Sequence, residues 1–69
     1  MPLTMASIGE KHTIKKIGGK EETKKFLASL GFNAGETVVL VSESYGNIIT
    51  KVKDSRIAIS KEMAIKILI

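Results

Sequence analysis

There is no cysteine among the 69 residues, which excludes disulfide staples, a thiolate zinc site and a cysteine nucleophile within the chain. Tryptophan is absent too, and the aromatics are Phe26, Phe32 and Tyr45 alone. A barrel that reads proline-rich peptides needs an aromatic-lined groove, and one that reads single-stranded nucleic acid needs exposed rings for stacking. With Phe26 and Phe32 expected in the core, neither use is well supplied. No apolar run approaches the roughly 20 residues that span a bilayer. The opening MPLTMASIGE lacks the basic start and long apolar centre of a signal peptide, so a cytosolic protein is expected. There is no GxxxxGK[ST], no GxGxxG and no Ser-His-Asp set in a context that helps nucleophilic catalysis. Neither an enzyme nor a cofactor is expected.

What is present suits one small domain over residues 1–69, of a size that buries only about 60% of the surface its unfolded chain exposes. A large enclosed pocket does not fit in it. The formal charge is +4, and six of the eleven basic residues, Lys11, Lys15, Lys16, Lys20, Lys24 and Lys25, fall within one short stretch. Such a stretch attracts phosphates or acidic surfaces, although Glu21 and Glu22 interrupt it and lysines also serve solubility.

The chain is organised around Lys24–Glu36, KKFLASLGFNAGE. Phe26, Leu27 and Leu30 form a helical stripe. Gly31 stops it, because a residue just past a helix end commonly adopts the left-handed conformation that glycine tolerates. Phe32 then packs back towards Leu27. Gly35 reverses the chain, and from Thr37 the β-branched run TVVLVSES is a strand, with Val38 and Leu40 on one face and Val39 and Val41 on the other.

Upstream, Leu3 to Ile8 reads as an ordered lead-in covering one end of the core. In EKHTIKKI, Ile14 and Ile17 are three apart, so strict alternation cannot place both on one face; a bulge or strong coiling between them is expected. Gly18-Gly19 precedes the helix, whose first turn carries Glu21 and Glu22 at the positive end of its dipole. Downstream, Tyr45-Gly46-Asn47 marks a hairpin into IITKVK, and Asp54-Ser55 a second turn into RIAIS. Ser60 caps a helical turn near 61–64, and KILI closes against the first strand. The expected fold is a mainly β, small and strongly coiled antiparallel barrel of about five strands, with one helix near 21–30. A ferredoxin-like sandwich is disfavoured because its second helix would have only about five residues.

His12 is the only imidazole. With Glu10, Glu43 or Asp54 it could in principle hold ferrous iron or zinc, but the spacing matches no recognised site, and whether metal binds directly stays open. Gly18-Gly19-Lys20 before a helix could cradle an anion, except that Glu21 and Glu22 oppose it.

The order of these signals resembles a known family. Gly9-Glu10, Ile14 and Ile17, Lys25-Phe26-Leu27-Ala28-Ser29-Leu30-Gly31-Phe32, Ala34-Gly35-Glu36 and Arg56-Ile57-Ala58-Ile59 with Ala64 and Ile67 are similar to the small ferrous iron transport protein A family, FeoA. The likeness covers nearly the whole chain and is most specific from Leu30 to Gly35. Ala34 stands where the family often has proline, and Asp54-Ser55 where a glycine often precedes the last long strand. The resemblance implies an SH3-like barrel in the cytosol that acts with the membrane iron permease FeoB, whose cytosolic portion is a GTPase. A similar domain occurs in iron-dependent repressors, so fold alone does not settle the role. A non-enzymatic accessory module is the first expectation; a small nucleic-acid-binding barrel and a direct metal carrier are the alternatives. Docking is expected around Leu30, Phe32 and Ala34, steered by Lys24 and Lys25.

Overall fold

Six strands and two helices follow one another in the computed structural model, which describes residues 1–69. After a 3-10 turn at Leu3–Met5 come β1 (Lys11–Thr13), β2 (Lys16–Ile17), α1 (Glu21–Ser29), β3 (Thr37–Ser44), β4 (Asn47–Val52), β5 (Ser55–Ser60), α2 (Lys61–Ala64) and β6 (Ile67–Leu68). A four-stranded antiparallel sheet runs in the order β1-β3-β4-β5, and β2 pairs antiparallel with β6. This is the small antiparallel barrel that the sequence predicts. Its core gathers residues from every part of the chain, among them Leu3, Ile14, Leu27, Phe32, Val38, Leu40, Ile48 and Ile67.

The expected first strand divides in two. Ile14 is buried and Ile17 half-buried, and the chain reaches both by changing partners rather than by bulging. β1 lies against β3, with Lys11 opposite Val39; β2 lies against β6, with Ile17 opposite Ile67. At the corner the backbone stays satisfied: Ile14 N donates to Glu36 O (2.9 Å), Gly35 N donates to Ile14 O (2.8 Å), and Lys15 N donates to Leu68 O (2.7 Å). The bulge that coils the sheet sits instead in β3, where the register with β4 shifts between Leu40 and Ser42. Val38 and Leu40 enter the core, while Val39 and Val41 are half-buried on the other face.

α1 ends as its sequence requires. Gly31 N donates to Ala28 O and Phe32 N donates to Leu27 O, each at 3.0 Å, and Gly31 has φ of 105°. These two bonds are the paired closure of a Schellman turn. A Cβ on Gly31 would stand 3.6 Å from Val52 Cγ1, an ordinary contact, so the cost of a side chain there is backbone strain rather than collision. Gly31→Ala is expected to lower stability by about 1–2 kcal/mol. Urea unfolding checks this, and an unchanged midpoint would remove the strain from the account.

Tyr45-Gly46 turns the hairpin between β3 and β4 as expected, but the next turn is Lys53-Asp54, one residue earlier than Asp54-Ser55. Lys53 has φ of 49° and Asp54 of 63°. Two positive φ values between paired strands describe a type I′ turn, whose second position suits glycine. Asp54→Gly is expected to stabilise the protein by about 0.5–1 kcal/mol, read as a higher thermal midpoint; a fall would mean that Asp54 makes a contact worth more than the strain. At the end of β5, Ser60 Oγ accepts from Met63 N (3.2 Å) and caps α2.

Candidate functional site

The five residues expected at a docking surface separate in space. Phe32 is 0% exposed and belongs to the core, which removes it from any contact surface in this fold. Leu30, the C-cap of α1, is half-buried and packs against the core. Ala34 is exposed in the loop before β3, and Lys25 is exposed on α1. Lys24 Nζ lies 3.7 Å from Glu21 Oε1, an exposed pair of little stabilising value.

Phe26 takes the opposite course to Phe32. It is 48% exposed, against the expectation that it is core. The helix has nine residues and buries Leu27 alone; adjacent residues stand about 100° apart on a helix of 3.6 residues per turn, so when Leu27 faces the core Phe26 cannot. Phe26 lines a shallow concavity of about 340 Å³ with Glu22, Thr23 and Met63. Leu30 follows Phe26 at i+4, so an apolar strip runs along this side of α1 towards the loop that holds Ala34. The signal was present in the sequence: in Phe26-Leu27 only one of the pair can turn inward on a helix packed on one side.

His12 and Glu10 come together, with Nε2 3.5 Å from Glu10 Oε2. That separation is longer than a well-formed hydrogen bond, and Nε2 is shielded from solvent with no hydrogen-bond partner. The other carboxylates considered with His12 lie elsewhere. Glu43 Oε1 pairs with Lys61 Nζ (3.1 Å), and Asp54 sits in the turn before β5. No group of three or more histidine, aspartate or glutamate side chains converges as a metal cage. No helix is long and apolar enough to cross a membrane.

A second shallow concavity, of about 380 Å³, opens at the ends of β1, β3 and β4 and is lined mainly by polar side chains, including Lys11, Lys51 and Lys53. The basic residues that meet here come from distant parts of the chain. Lys11 alone belongs to the basic stretch at residues 11–25.

Known proteins share this fold. The chain is 34% identical over 68 residues to a protein of Methanocaldococcus jannaschii named as an Fe(2+) transport protein A, covering 99% of this chain and 83% of the other. A crystal structure of an iron uptake regulatory protein, FeoA, superposes with a TM-score of 0.86 at 33% identity, over 96% of this chain and 88% of that one. The zinc complex of Stenotrophomonas maltophilia FeoA, described as a prokaryotic SH3 domain protein, superposes with a TM-score of 0.85 at 19% identity, over 99% and 87%; at that identity the likeness concerns the SH3-like fold alone. The description of the FeoA domain matches residues 1–69 from end to end, and the chain belongs to the FeoA domain family of ferrous iron transport.

Proposed function

We propose that this protein acts in the cytoplasm as a single non-enzymatic domain that promotes ferrous iron uptake by docking on the cytosolic part of a FeoB-type permease. Membership of the FeoA family supports the transport role. The observation that carries the docking mode is the exposure of Phe26 beside Met63 on a helix that bears Lys24 and Lys25. A half-exposed aromatic in a shallow concavity is the kind of anchor that a partner buries at the centre of an interface, and lysines around it steer the approach to an acidic surface. Leu30 and Ala34 extend the strip past the end of α1. Phe32 supports it from inside the core.

Deleting the gene is expected to reduce uptake of ferrous iron but not of ferric chelates. Phe26→Asp and Ala34→Glu, both at exposed positions, are expected to stay folded and to fail to restore uptake. Their affinity for the purified cytosolic portion of FeoB should fall at least about tenfold, the size of effect seen when an interface anchor is lost. Folded variants that restore uptake fully would remove this surface from the mechanism, and normal ferrous uptake in the deletion strain would end the transport role itself.

A further inference from the structure

The geometry points to a second interaction surface, distinct from α1: we propose that the free edge of β5 accepts an extended acidic segment of a partner protein as an added strand. β5 is the outermost strand of the four-stranded sheet. It pairs with β4 through six consecutive residue pairs, from Val52 opposite Ser55 to Asn47 opposite Ser60, with no shift of register. In a two-residue hairpin the pair flanking the turn exchanges both hydrogen bonds, and the pairs then alternate. Val52 and Ser55 flank the turn, so Ser55, Ile57 and Ile59 bond to β4, while the N–H and C=O groups of Arg56 and Ala58 point away from it. Neither residue takes part in a backbone hydrogen bond outside the ladders, and both are exposed. An exposed edge of this length with no break in register is a template for another strand, and the charge of Arg56 on it turns away strands that do not bring a carboxylate.

Charge decides which strand. Lys11 lies opposite Val39, Val39 opposite Lys51, and Lys51 opposite Arg56. Residues directly opposed in an antiparallel sheet share a face, so three cations stand in one row across β1, β4 and β5 with Val39 between them. No carboxylate lies within 4.0 Å of Lys11, Lys51 or Arg56, although four other basic side chains have such a neighbour. Like charges directly opposite one another oppose folding, and Lys51 and Arg56 are held so without an ion pair of their own, the carboxylates of Glu36 and Asp54 lining the neighbouring concavity without reaching either. A strand laid along β5 with a glutamate or aspartate beside Arg56 supplies the missing charge and satisfies the four free backbone groups together. A second copy of this chain would bring the same row and the same net charge of +4, so self-pairing is disfavoured and an acidic partner selected.

The test uses a blocked six-residue peptide alternating glutamate and valine, its lysine–valine counterpart, and the acidic peptide N-methylated at its glutamates, whose amides would face β5. With the full chain, the acidic peptide is expected to bind, to slow hydrogen exchange at the Arg56 and Ala58 amides, and to lose at least about tenfold in affinity on N-methylation. The lysine peptide should not bind. Arg56→Glu is expected to weaken binding of the acidic peptide at least about tenfold while raising the unfolding midpoint, because it places a carboxylate opposite Lys51. Binding that survives N-methylation would reduce the surface to a charged patch with no strand addition. Absence of binding, protection elsewhere than β5, or an Arg56→Glu protein that binds as well as the original would overturn the proposal.

Discussion

Phe32→Ala is expected to remove about half or more of the protein's stability. Phe32 has no exposed surface and sits where the Schellman turn of α1 meets the core shared by β3 and β4. Truncating a buried phenylalanine costs about 3–5 kcal/mol, from lost transfer energy plus the cavity left behind. A chain of 69 residues has about 3–10 kcal/mol of stability in total, so this single change removes a large part of it. Phe26→Ala, six residues away on the exposed side of α1, should cost less than about 1 kcal/mol. Urea unfolding followed by circular dichroism separates the two. Equal losses would mean that Phe26 contributes to the core as much as Phe32 does, and that its exposed side does not describe its energetics.

Ile14→Ala is expected to cost about 2–5 kcal/mol. Ile14 is buried at the corner where the chain leaves β3 and turns to β6. Its N–H and C=O are both engaged, with Glu36 O and Gly35 N, so the backbone cannot slide inward to fill the space. Ile17, half-buried on β2, lacks that confinement, and Ile17→Ala should cost roughly half as much. Hydrogen exchange adds a second readout. The amide of Lys15, bonded to Leu68 O, should lose protection in Ile14→Ala in step with the global loss of stability, because the corner opens only when the barrel does. Selective exposure of Lys15 with an unchanged urea midpoint would show instead that the β2 and β6 ladder opens on its own.

The sequence by itself determined those features whose causes lie within a few residues. Gly31 ends α1 because the bonds that close the helix, from Gly31 N and Phe32 N, reach back only to Ala28 and Leu27. Ser60 caps α2 through an amide three residues ahead. The β-branched run from Thr37 is an interior strand, and the hairpin at Tyr45-Gly46 follows from Gly46, which accepts positive φ without strain. The order of such signals was enough for the SH3-like barrel and its family. The sequence shows that only one of Phe26 and Leu27 can turn inward, but the position of α1 on the barrel is what chose Leu27 and left Phe26 outside. Tertiary structure also decided that Ile14 and Ile17 are reconciled by a change of partner strand rather than by a bulge. The lysines clustered in sequence at residues 11–25 are dispersed over β1, β2 and α1, while Lys11, Lys51 and Arg56, up to 45 residues apart in the chain, stand in one row. Side-chain neighbours across a sheet are set by register, and register depends on which strands meet and where the turns and the bulge in β3 fall. That is a property of the assembled barrel, which no local stretch of the chain contains.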